Sequence, residues 1–182
     1  SEKTCGGVRA VVVTDTNTAE LVLAMREAFH ERYGVYPHVV ISRLARKKLD
    51  PNRPLADAAC GNAEAALAFR EWHAFINVAK KQVLETSGRG WYMDMHGHGH
   101  QIQRLELGYL LNAEVLNESN AKQDANSAAR DRISIRSLMD KNPSVSLSDF
   151  LSGPNSIGTL YDREGFPSVP SQSDPRPRDE KY

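Results

Sequence analysis

Apolar positions fall into two rhythms along the chain. Short unbroken runs alternate with stretches in which they recur every three or four residues. Val8 to Val13 is a Val-rich run, too short for a helix and followed by Thr14-Asp15-Thr16-Asn17-Thr18, a turn and helix-cap sequence; it predicts a buried strand. From Thr18 to Arg32 the residues Leu21, Val22, Leu23, Met25, Ala28 and Phe29 recur near helical spacing, and Gly34 is placed to stop the helix. Pro37 to Ser42 predicts a second buried strand, leading into a loop rich in Arg and Lys up to Pro54.

Asn62 to about Glu85 predicts a long amphipathic helix, with Ala66, Leu67, Phe69, Trp72, Phe75, Ile76 and Val78 on its apolar side. Gly88-Arg89-Gly90 ends it, and Trp91 to Met95 predicts a third strand. Strands alternating with helices imply an α/β fold with a mainly parallel sheet flanked by helices. Leu105 to Leu116 has no clear period, while Ile133 to Met139 and Leu147 to Leu151 predict short helices. From Gly153 onward Gly, Pro, Ser and Asp accumulate. The expected organisation is therefore one α/β domain over residues 1–152 and an extended segment over 153–182.

Composition narrows the partners. Lys plus Arg and Asp plus Glu both total 23, so the 182-residue chain has no basic excess to favour nucleic acid or an anionic membrane surface. No apolar stretch approaches the roughly 20 residues of a membrane span, and Ser1 to Thr4 lacks the apolar core of a signal peptide. The chain begins without methionine, which suits a processed or partial product. The compartment stays open between secreted and cytoplasmic, with a lean to secreted. Cys5 and Cys60 either pair or remain free thiols, and Asn117-Glu118-Ser119 has the pattern of a glycosylation acceptor.

The chemistry concentrates after the third predicted strand, in Asp94-Met95-His96-Gly97-His98-Gly99-His100. Histidines spaced by two share a face in extended chain, while Gly97 and Gly99 permit a sharp bend; either geometry converges imidazoles, good zinc ligands. A glycine-histidine surface turn is the alternative. Placement at the end of a strand suits a site in an α/β sheet. Asp50-Pro51-Asn52-Arg53 lies in the loop after the second strand, where Arg53 can grip a carboxylate through two parallel hydrogen bonds, with Asn52, Arg43 and Arg46 assisting. His73 lies within the long helix, as a candidate catalytic group or a boundary histidine.

Four segments taken together, Pro37 to Arg43, Lys48 to Arg53, Trp72-His73 and Asp94 to His100, resemble the N-formylglutamate amidohydrolase family. That family is related to the zinc carboxypeptidases and aspartoacylases. The resemblance implies a zinc-carboxypeptidase-like core and hydrolysis of an amide or peptide bond next to a carboxylate, with a small acyl-amino acid or peptide as substrate. It also implies that His96 is a zinc ligand and that Asn52 with Arg53 holds the carboxylate. The family's other zinc ligands, in a histidine motif after an earlier strand, and its catalytic glutamate, after a later one, have no counterpart here. The resemblance therefore implies an incomplete, internal portion of the core, for which an oligomer or partner chain would complete the site. Two alternatives go with it: a non-catalytic binding or structural protein on the same scaffold, and a histidine-rich metal-binding module using His96, His98 and His100 directly.

Overall fold

The computed structural model describes residues 15–178 and the backbone of two short strands before them, β1 (Thr4–Cys5) and β2 (Val8–Arg9). The chain divides into two compact units, Ser1–His98 and Gly99–Tyr182. About half of it is helical, with a small two-stranded parallel sheet, an α/β composition. Among the described residues no helix is long and apolar enough to cross a membrane.

In the first unit β1 and β2 pair antiparallel, Thr4 opposite Arg9 and Cys5 opposite Val8. The helix expected from Thr18 is α1 (Thr18–Tyr33). Gly34 ends it at φ 70°, in the left-handed region, with its N–H donating to the His30 carbonyl. A glycine adopts that conformation without the Cβ penalty other residues incur. The long helix is α3 (Ala63–Ser87), preceded by α2 (Leu55–Ala59). Asn62 caps α3: its Oδ1 accepts from the Ala65 N–H at 2.8 Å, satisfying one of the donors a helix start leaves open. Leu49, Ala58, Ala59 and Ala65 form a small core, with Ala66, Ala68 and Phe69 packed on it. The apolar stripe of α3 is only partly covered: Ile76 is buried, while Leu67, Phe75 and Val78 are more than half exposed. α1 buries none of its residues.

The sheet expected in this unit is not formed among the described residues. Segments 37–42 and 91–95 have no regular secondary structure and belong to no strand. An apolar run signals chain that is to be buried; a strand also needs a hydrogen-bonding neighbour for its N–H and C=O groups. In the run expected from Val8, only Val8–Arg9 is a strand, and residues 10–14 lie outside the described residues. Cys60 is disulfide-bonded, while the side chain of Cys5, the other cysteine of the sequence, lies outside the described residues.

The second unit is built from short helices around a denser core. These are α4 (Ala113–Leu116), α5 (Asn120–Ala125), α6 (Ser127–Arg132), α7 (Arg136–Asp140), α8 (Leu147–Ser152) and α9 (Ile157–Arg163). Leu111, Val115, Leu116, Ala129, Ile133, Met139, Leu147 and Leu151 make one buried cluster. Helices this short gain little from propensity, so caps and packing hold them. Asn112, Asn126, Ser146 and Ser156 each accept a backbone N–H from the first turn of the helix that follows. Buried Gln123 donates from Nε2 toward the Val115 and Leu116 carbonyls, at 3.2 and 3.1 Å, and so ties α5 to the end of α4.

Residues 153–178 are not the extended segment their composition suggests. They contain α9 and a strand, β4 (Ser168–Val169), that pairs parallel with β3 (Leu105–Glu106). Val169, Pro170 and Ser171 are fully buried. The turn-forming residues serve as buried, hydrogen-bonded parts: the Thr159 hydroxyl donates to the Gly153 carbonyl at 2.8 Å, and Asp162 accepts from the Ser168 N–H at 2.8 Å. Gly158 is required where it stands, since a Cβ there would lie 2.1 Å from the Pro170 carbonyl oxygen. Asn117, in the glycosylation pattern, exchanges two hydrogen bonds with the backbone of Arg178, donating at 2.7 Å and accepting at 2.8 Å. Its amide therefore fastens the end of the described chain.

Candidate metal centre

The histidine segment leaves α3 through Gly88, whose left-handed φ of 65° terminates the helix, and continues to His100 without regular secondary structure. Its three imidazoles reach two different environments. His96 lies between two carboxylates: Nδ1 is 2.9 Å from Asp15 Oδ2, and Nε2 is 3.6 Å from Asp94 Oδ2. The Asp94 carboxylate, helped by Asp15, raises the His96 pKa to about 9 against the opposing effect of burial. Asp94 is correspondingly lowered by His96. An imidazole so placed is an imidazolium at neutral pH, and taking up a metal would require it to release that proton.

A titration follows from this. The protonated His96 is favoured in the folded state, so its contribution is fully present below the ordinary histidine pKa of about 6.5 and fades as pH rises through about 9. Following the His96 ring by NMR between pH 5 and 10 is expected to give a midpoint near 9. In Asp94→Asn the midpoint is expected to fall toward the ordinary value; an unchanged midpoint would remove Asp94 as the cause.

His98 and His100 join a carboxylate that the sequence did not single out. One ligand atom from each of His98, His100 and Glu106 lies within 4.8 Å of the others. His100 Nδ1 is 2.9 and 3.0 Å from the two oxygens of Glu106. Glu106 stands in β3, whose pairing with β4 fixes its register opposite Val169. Arg104, buried two residues earlier, places Nε 3.8 Å from Glu106 and donates from its guanidinium to Asp174 at 2.7 Å. Glu106 is therefore held by the strand pair and by a neighbouring cation.

Two imidazoles and a carboxylate suit zinc, and three protein ligands leave a fourth position for water or substrate. Ligand atoms of a tetrahedral zinc site are about 3.4 Å apart, given metal–ligand bonds near 2.1 Å. The three residues are thus within a short side-chain adjustment of such a set. The group can hold a metal ion; imidazole donors also suit copper and nickel.

The other expected site residues are distributed as follows. Asp50 takes up the arginine loop: Arg46 Nε is 2.8 Å and Arg53 Nε 3.7 Å from its Oδ2, and the Asn52 N–H donates to its Oδ1 at 3.2 Å. Arg43 forms no hydrogen bond or ion pair among the described residues, and it lines a surface groove beside α3. His73 on α3 packs its ring against Phe69 and edge-on to Trp72, with Nε2 buried and without a hydrogen-bond partner. Its described surroundings are aromatic. Glu106 follows His100 by six positions, a spacing that belongs to no metal motif. It meets the histidines through the fold of the intervening chain. Comparison of the chain with protein-family models, with curated proteins and with solved structures gives no match.

Proposed function

We propose that this chain carries the metal-binding and carboxylate-binding parts of a zinc-dependent hydrolase acting on an amide or peptide bond next to a carboxylate. The observation that supports it most directly is the convergence of His98, His100 and Glu106 within 4.8 Å, a donor set of two imidazoles and one carboxylate. The motif resemblance to N-formylglutamate amidohydrolases supplies the reaction class and the expectation of a zinc-carboxypeptidase-like core; it would make His96 a ligand, a place that His98, His100 and Glu106 take in this reading. Zinc held by such residues supplies Lewis acidity toward an amide carbonyl and acidifies a water molecule. The chain's own groups do the rest of the positioning. Glu106, hydrogen-bonded to His100, keeps the carboxylate and the imidazole side by side as two of the three donors. The arginine loop, with Arg43, Arg46, Asn52 and Arg53, receives the substrate carboxylate, and His73 is the candidate proton carrier. The apolar side chains exposed on α1 and α3, among them Phe29, Phe75 and Val78, favour association with further polypeptide that would complete the site.

Incubated with zinc and a panel of N-acyl amino acids, the protein is expected to release free amino acid, and a chelator is expected to stop the release. Zinc bound without any release would sink the hydrolase reading. It would leave a second one, a histidine-rich metal-binding module, which the same three-residue group favours because it needs no further catalytic residue. Release that persists in chelator would contradict both.

A further inference from the structure

The surface groove in the first unit is walled on one side by Val40, Ile41 and Leu44 and on the other by Trp72 and Phe75 of α3. Two charged residues also line it, Arg43 and Glu71. Of the three arginines in this loop, Arg46 and Arg53 already face Asp50, whereas Arg43 has no anionic partner among the described residues. Trp72 lines the groove, while its indole N–H is itself fully buried and has no acceptor. The groove thus combines apolar walls with a cation that has no anionic partner among the described residues.

We propose that this groove binds a monocarboxylate bearing an apolar group, such as the N-acyl derivative of an aromatic or branched aliphatic amino acid. Naming an N-acyl amino acid rests on the hydrolase reading above; the binding chemistry does not. Arg43 takes the carboxylate, a charge-assisted contact that a guanidinium makes with two parallel hydrogen bonds. The apolar group lies along Val40, Ile41, Trp72 and Phe75. Glu71, a carboxylate in the same lining, repels a second negative charge, so the groove disfavours acidic amino-acid derivatives.

The test is a titration of chelator-treated, metal-free protein, read on the two indole N–H signals by NMR, with Trp72 assigned from Trp72→Phe. N-acetyl-L-phenylalanine is expected to shift the Trp72 signal and to bind at least about tenfold more tightly than N-acetyl-L-glutamate or N-acetyl-L-phenylalanine amide. Arg43→Gln is expected to remove that advantage, while Lys47→Gln, which takes the same charge from the same loop, leaves it intact. Equal binding of the glutamate or the amide, a silent Trp72 signal, or equal losses in the two variants would overturn the proposal. Metal is absent throughout, so failure of the hydrolase reading does not alter the outcome, and failure here leaves zinc binding untouched.

Discussion

His100→Ala is expected to lower zinc affinity by at least about a hundredfold, measured by competition with a chelating dye at pH 7.5. The size follows from the position of the ring. It contributes one of three donor atoms. Loss of a group that merely orients a ligand costs up to about 100-fold, and here a ligand itself is removed. His96→Ala is the discriminating companion. In this structure His96 is an imidazolium held by Asp94 and Asp15, so its removal is expected to leave most of the zinc affinity. If His96→Ala loses zinc as completely as His100→Ala, the ion recruits His96, as the family resemblance implies. The three-residue assignment is then wrong.

Arg104→Met is expected to destabilise the second unit by about 3 kcal/mol, read as a lower urea midpoint at neutral pH. The Arg104 side chain is 3 % exposed and lies between Asp174, 2.7 Å away, and Glu106, 3.8 Å away. Methionine preserves much of its length and apolar stem while deleting the charge. Two partly buried carboxylates then lose their cation, and breaking such a pair from one side is far costlier than never having built it. An unchanged midpoint would show that water already compensates the pair, and that Asp174 is not what fastens the chain beyond β4.

Helices with strong local signals were legible in the sequence. α1 and α3 carry their stop and start in single residues: Gly34 and Gly88 at left-handed φ, and Asn62 as the cap of α3. Those effects act within one turn, so sequence spacing reports them. Segments 37–42 and 91–95 were less legible, because their apolar character describes burial and does not supply a pairing partner. The last segment misled for another reason. Its serines, prolines and glycines are ordinary turn residues, yet Ser156 caps α9, Gly158 admits the Pro170 carbonyl, and Ser168 and Val169 enter a strand pair. The strand role depends on β3, more than sixty positions upstream, and that of Gly158 on a carbonyl twelve positions downstream.

The site divides along the same line. The histidine segment was visible as spacing, and a basic loop after Ser42 was visible as composition. The structure adds what spacing does not carry: Asp50 neutralises Arg46 and Arg53, Arg43 is left uncompensated among the described residues, and Glu106 joins His98 and His100. Each depends on which side chains meet, and a meeting of this kind leaves no periodic trace in the sequence.

Whether zinc binds at His98, His100 and Glu106 is decided by zinc K-edge X-ray absorption on protein loaded with one equivalent of the metal. Low-coordinate zinc is expected, with scattering from two imidazoles and the remainder from oxygen, reduced to one imidazole in His100→Ala. Zinc surrounded by oxygen alone, or a spectrum that His100→Ala leaves unchanged, would contradict that assignment.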